Sequence, residues 1–273
     1  MRFSTLIGII LGLASILGAF YLEGGDFVKL VLPAPLMIVI GGTLMAGLAS
    51  SSWKTFSKIF LLIWKCCFPP KLEKQKISMQ IIDFSLITRK FGMLALEDKL
   101  NKVEHPYLKK LFQVGLDGGD ADALTEILEM ELEGITMRHN ENIAFFNKLG
   151  ALSPTMGIIG TVMGLISTMS EAGGDGDANK LIVSISVAFL ATLWGIMLAN
   201  IVWIPVADKL QTLHNEELEI LNLIFNGAKS VFNGDTPTVV ISKLSSCYAM
   251  SEQLKFQREV KTFMDRQRKL MGI

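Results

Sequence analysis

The sequence predicts an all-α, polytopic membrane protein with four transmembrane helices and a helical cytoplasmic domain. Two observations carry this. Half of the 273 residues are hydrophobic and only 19% are charged, against about 25% charge in an ordinary soluble domain. The charges are also confined: residues 3–22, 30–53, 149–170 and 181–207 contain no Asp, Glu, Lys or Arg. A helix rises about 1.5 Å per residue, so each run can cross a hydrocarbon layer of about 30 Å. The same composition excludes a disordered chain, which needs low hydrophobicity and high net charge. The balance of 26 basic against 26 acidic residues argues against nucleic acid as a partner.

The run 3–22 begins after Met1-Arg2, as a signal peptide would. Its apolar part is long for that role, and a second run follows after only seven residues. The two read as a helical hairpin, with the first retained as transmembrane helix 1 (3–22) and the second as helix 2 (30–53). Residues 149–170 and 181–207 are helices 3 and 4. Between them, residues 23–29 hold one Lys and two acids, and residues 171–180 hold one Lys and three acids. Residues 54–148 hold fourteen Lys and Arg, and residues 208–273 hold nine. The positive-inside rule then places both termini, the 54–148 domain and the 208–273 helices in the cytoplasm. Lys54 and Lys58, close to a helix end, weigh most.

Residues 56–68 mix lysines with Phe60, Leu61, Ile63 and Trp64 and read as a helix at the membrane surface, ended by Phe68-Pro69-Pro70. Ile77, Ile81, Phe84 and Ile87 mark a helix over about 76–100 with a break at Gly92. His105-Pro106 is a turn and 107–114 a short helix. Asp120 is placed to cap a helix through 122–130. A helix from Glu131 runs into the third span, and the fourth continues to about Phe232. After a break at 233–237, a last helix is expected over 239–270. Cys66, Cys67 and Cys247 fall on the cytoplasmic side, where thiols stay reduced, and their spacing suggests no metal. His105, His139 and His214 are scattered singly and read as surface residues. No phosphate-cradling loop, GxSxG or HExxH motif occurs, so neither an enzyme nor a cofactor is expected.

Small and polar residues form stripes on the last two spans. Pro154, Gly157, Thr161, Gly164 and Thr168 recur every three or four residues. Ser184, Ala188, Ala191/Thr192, Gly195 and Ala199 do the same. Close helix packing explains most of them, with Gly160 alongside. Pro154 also frees a backbone carbonyl; with the Thr161 and Thr192 hydroxyls it could line an ion path. Ion-coupled membrane proteins usually carry an acid in the membrane, and these four runs have none. A carboxylate must then come from another chain.

Residues 152–165 (LSPTMGIIGTVMGL) resemble the third-span signature of the flagellar stator subunits of the MotA/PomA family. Residues 192–195 (TLWG), 198–200 (LAN) and 204–210 (IPVADKL) resemble its fourth-span signature, and residues 89–97 (RKFGMLALE) its cytoplasmic loop. The resemblance covers nearly the whole chain. It implies a bacterial inner-membrane protein that forms a homo-oligomer, a pentamer around two copies of a MotB-type partner. That single-span partner carries the membrane Asp. Ion flow past the Asp drives rotation and torque on the flagellar switch complex. Carried over by residue, Pro154 and Pro205 are the functional prolines; Arg89 and Glu97 engage the rotor protein, with Lys90 and Asp98 as further contacts.

The transported ion is expected to be H⁺, with Na⁺ the alternative. Sodium-type relatives tend to carry an Asp near the outer end of the second span and a Thr pair on the fourth. Here those places hold Leu32-Pro33-Ala34-Pro35 and Ala191-Thr192. Thr161 points the other way. The rival readings are a TolQ/ExbB-like energiser of envelope or outer-membrane transport, and a passive membrane scaffold. A self-sufficient transporter is disfavoured, because the spans hold no charged site.

Overall fold

In the computed structural model the described residues are 4–70, 73–119, 121–171 and 178–271, and they form an all-α protein. Helix α1 is Ser4–Leu22. A 3₁₀ turn, Phe27–Leu30, is capped by the Asp26 side chain. Helix α2 then covers Pro33–Ala49 and includes a π segment, Met37–Gly41. This helix is shorter than the charge-free run 30–53. Pro33 sits in the first turn, where a missing N–H costs nothing, so residues 31–32 stay outside the helix. At the other end Ser50, Ser51 and Ser52 break it, and Ser52 caps the next helix by accepting from the Thr55 N–H at 3.2 Å. The seventeen residues of α2 extend about 26 Å, the short end of what spans a bilayer. Three helices are long and apolar enough to cross a membrane among the described residues; α2 is the shorter fourth apolar helix.

The expected surface helix at 56–68 divides into α3 (Trp53–Phe56) and α4 (Ile59–Cys67). Next come α5 (Lys74–Phe91), a 3₁₀ turn (Met93–Leu96), α6 (Glu97–Leu100) and α7 (Pro106–Leu116). The break falls at Gly92, whose φ of +83° favours glycine. The expected helices at 122–130 and from Glu131 are one continuous helix, α8 (Ala121–Glu171). The proposed cap, Asp120, lies outside the described residues. So does most of the loop 171–180.

Helix α9 (Ala178–Met197) passes through a π segment, Leu198–Trp203, into α10 (Ile204–Phe232). Pro205 follows directly, and its ring cannot accept a normal α-helical carbonyl four residues back; the wider π turn relieves that clash. The last expected helix is two, α11 (Pro237–Ser246) and α12 (Met250–Met271). The break at 247–249 is held by contacts from α5, far away in sequence. The Lys74 ammonium donates to the Cys247 carbonyl at 2.7 Å, and the Tyr248 hydroxyl pairs with Ser78 at 2.8 Å.

The chain divides into two compact units: Met1–Pro70 with Met137–Leu213, and Lys71–Thr136 with His214–Ile273. In the first, Ile59, Leu62 and Cys66 of α4 pack with Phe146, Leu149 and Trp203. Helix α4 therefore joins this unit, although it follows the last charge-free residue of the second span. No residue of the Thr5–Leu22 stretch is buried, so this apolar surface needs lipid or another chain to cover it. In the second unit the period-3/4 face of α5, Ile77, Ile81 and Phe84, packs with α7, α10, α11 and α12. Phe84 meets Phe112 edge-on, ring centroids 4.9 Å apart.

Candidate functional site

The two small-residue stripes, one on α8 and one on α9, face each other within the first unit. A Cβ on Gly157 would stand 2.8 Å from the Ala191 carbonyl oxygen and 3.1 Å from the Thr192 Cα. On Gly160 it would meet the Ala191 Cβ at 2.7 Å, and on Gly164 the Ala188 Cβ at 2.7 Å. On Gly195 it would lie 2.7 Å from the Ser153 carbonyl oxygen and 3.3 Å from the Pro154 Cα. Only hydrogens fit in these places, which lets the helix backbones approach closely in an apolar medium. Ala188 and Ala199 are buried. Helix α2 uses the same device: a Cβ on Gly42 or Gly47 would collide with Met156 or Leu149. These two glycines stand in the sequence inside the second run but were not singled out there.

Close approach brings Thr161 and Thr192, both half-buried, into contact. Their hydroxyls hydrogen-bond each other. The Thr161 hydroxyl can also donate to the Ala188 or Gly157 carbonyl, each at 3.1 Å. The Thr192 hydroxyl lies 3.5 Å from the Gly157 carbonyl. Two hydroxyls bring two protons and four lone pairs, so whichever way the protons point, oxygen lone pairs stay available. Such oxygens can accept from a protonated carboxyl or replace part of a cation's hydration shell.

Pro154 is half-buried where α8 crosses Gly195, two turns along α8 from Thr161. Its ring supplies no N–H to the Gly150 carbonyl. Next to it the Ser153 hydroxyl is fully buried and without a hydrogen-bond partner. Pro205 is not part of this cluster. It lies about 15 Å of helix beyond Gly195, on the wall of a cavity of about 580 Å³ with Thr5, Gly8, Asn200, Asp208 and Lys209.

Polar contacts at one margin of the spans were not anticipated. Glu141 of α8 accepts from the Ser52 hydroxyl at 3.0 Å and the Thr55 hydroxyl at 2.6 Å. These bonds, Thr55 first, hold its carboxyl below the usual range. Lys148 donates to the Ser50 carbonyl at 2.9 Å. The Ser50-Ser51-Ser52 run was the available sign of a helix end with hydroxyls to spare. The Trp194 indole N–H donates to the Leu30 carbonyl at 2.8 Å, a bond with no sequence signal.

Arg89, Lys90, Glu97 and Asp98 belong to the second unit and are all exposed. Arg89 and Lys90 occupy the last turn of α5, and Glu97 and Asp98 the first turn of α6. Each pair has the sign that favours its helix end. The Lys90 ammonium lies 5.2 Å from the Phe91 ring centre.

Residues 6–91 match the family model described as Motility protein A N-terminal, and residues 99–222 match the MotA/TolQ/ExbB proton channel family. The chain is 30% identical over 259 residues to Motility protein A of Bacillus subtilis, with 94% of each chain covered. It is 29% identical over 246 residues to the chemotaxis protein PomA of Vibrio alginolyticus, covering 90% of this chain and 95% of that one. Among solved structures it is similar to the flagellar MotAB stator complex from Bacillus subtilis. That match has a TM-score of 0.85 and 30% identity, over 93% of this chain and 98% of the other.

Proposed function

We propose, given that this chain belongs to the motility protein A family of flagellar stator subunits, that it works as follows. It assembles as a ring, a pentamer around two copies of a MotB-type single-span protein, in the bacterial inner membrane with both termini cytoplasmic. The partner's membrane Asp is the titrating group. Pro154, Thr161 and Thr192 border its path, and Pro205 shapes the inner end of the fourth span. Ion flow turns the ring, and Arg89, Lys90, Glu97 and Asp98 transmit torque to the rotor protein. The MotA-type match of residues 6–91 separates this output from TolQ/ExbB-type energising of envelope transport.

One observation carries the channel reading: a threonine pair closed between two glycine-packed helices whose charge-free runs contain no carboxylate. In a low-dielectric setting a charged ion needs a counter-charge. Hydroxyls alone supply dipoles, so they suit an acid that alternates between protonated and ionised forms. Leu32-Pro33-Ala34-Pro35 and Ala191-Thr192, which depart from the sodium-type pattern, favour H⁺ over Na⁺ as the transported ion.

The test is partner-dependent ion uptake in vesicles holding this chain and the single-span protein. Uptake of H⁺ without Na⁺ is expected, lost when the partner's membrane Asp→Asn is introduced, and reduced by Thr161→Val. Uptake by this chain alone, or undiminished uptake with the Asn partner, would overturn the borrowed-carboxylate mechanism. Dependence on Na⁺ would overturn the choice of ion.

A further inference from the structure

We infer that the turn after α5 presents an apolar contact, made by Phe91 and Leu94, that holds the rotor protein between the two charged pairs; this rests on the stator reading above. Helix α5 stops because Gly92 leaves it at φ +83°, ψ 170°, its N–H bonded to the Thr88 carbonyl at 2.9 Å. The following 3₁₀ turn sorts its side chains. Leu96 is fully buried, and Met93 and Ala95 pack against the core. Leu94 is turned outward and is 78% exposed, and Phe91, on the other side of Gly92, is 59% exposed.

Exposed apolar residues taken singly need no explanation. These two stand three residues apart on either side of Gly92, and the residues flanking them in the chain have opposite sign. Arg89 and Lys90 precede them, and Glu97 and Asp98 follow, all exposed. An apolar centre with a charged rim is the anatomy of a protein–protein contact. A lipid surface is a poor occupant, since the four flanking charges sum to zero and an anionic leaflet gains no net attraction to them. The fitting partner is a protein surface with an apolar spot between an acidic and a basic group. The division of labour follows from physics. The charged rim steers encounter and sets register, while the buried apolar centre governs how long each contact lasts. A motor that steps must form and release this contact repeatedly, so a small apolar centre of two side chains gives grip without locking.

The experiment uses the full stator with its partner in motile cells. It measures the dwell time of fluorescently tagged stators at the motor, swimming speed, ion conduction in vesicles and thermal unfolding. Phe91→Ser with Leu94→Ser is expected to shorten dwell about tenfold and to impair swimming, with conduction and unfolding unchanged. Phe91→Tyr and Leu94→Met are expected to keep dwell near wild type. Wild-type dwell in the double variant overturns the inference. So does a loss of conduction with a lowered unfolding temperature, which would make the pair structural. Cross-linking through Leu94→Cys to a second copy of this chain, and not to the rotor protein, also overturns it. The charge reversals Arg89→Glu and Glu97→Arg keep the two levels apart. If they leave dwell intact, the rotor surface itself is misplaced; if they shorten it while the serine pair does not, only the apolar centre falls.

Discussion

Adding one methyl group at Gly157 tests whether close approach of α8 and α9 sustains the channel. In Gly157→Ala the new carbon would lie 2.8 Å from the Ala191 carbonyl oxygen and 3.1 Å from the Thr192 Cα. Both neighbours are backbone, so no side chain can swing away. Ordinary contact needs about 3.4 Å, so the helices must part by about 0.6 Å. That would stretch the Thr161 bond to the Ala188 carbonyl, now 3.1 Å, to about 3.7 Å, beyond hydrogen-bonding range. Overpacking of this kind costs about 1–3 kcal/mol. At about 2 kcal/mol the unfolding midpoint falls by about 4–8 °C. The assay pairs thermal unfolding of the purified complex with partner-dependent ion conduction, and both should drop. Gly12→Ala is the control, since a Cβ there meets nothing within 4 Å. If Gly157→Ala unfolds and conducts like the wild type while Gly12→Ala does too, the tight crossing is not what positions the threonines.

Two further predictions concern groups outside the spans. The Thr55 and Ser52 hydroxyls hold Glu141 below its usual 4.5, so its ionised form stabilises the fold above that pH. This stabilisation is lost as pH falls through the lowered value. Glu141→Gln should therefore lower the unfolding temperature at neutral pH, with the gap to wild type closing as the pH is taken down through the lowered value; a gap independent of pH would contradict the hydroxyl-held carboxylate. Burial pushes the Cys66 thiol up to about 12, leaving about 10³-fold less thiolate at pH 8 than an ordinary thiol has. In the Cys67→Ser, Cys247→Ser background, maleimide labelling at pH 8 should be correspondingly slow, and rapid labelling would show that α4 does not pack through Cys66.

The stripes were legible in the sequence because a helix has a fixed period. Pro154, Gly157, Thr161 and Gly164 fall on one face by spacing alone. Which helix that face meets was not legible, since spacing carries no partner; the structure sets it against Ala188, Ala191, Thr192 and Gly195. The charge-free run 30–53 extends past both ends of the helix it contains. Composition counts Leu32, Ser50 and Ser52 as uncharged, but Pro33 and the hydroxyl of Ser52 decide where the helix starts and stops. The continuous α8 was hidden by the opposite error, since nothing breaks the helix at Glu131 except the reader's expectation of a boundary. The break at Cys247 depends on Lys74, far away in sequence, and could not be read locally. Arg89, Lys90, Glu97 and Asp98 were visible as charges. That Leu94 points outward while Leu96 is buried follows from the 3₁₀ turn after Gly92, which an alternation of apolar letters cannot show.

Placing the titrating acid on another chain, as proposed above, has a consequence for control. A carboxylate fixed on α8 or α9 would couple to the membrane potential in every copy, assembled or not. With only hydroxyls and freed carbonyls in its own spans, this subunit cannot offer an ion a counter-charge until the partner's helix is seated. Conduction then requires assembly, and the cost of burying the acid falls on the complex rather than on the free subunit. The glycine stripes fit that division. They bring α8 and α9 close enough for Thr161 and Thr192 to hydrogen-bond each other, so in the proposed mechanism the hydroxyls need little rearrangement when the acid comes within reach.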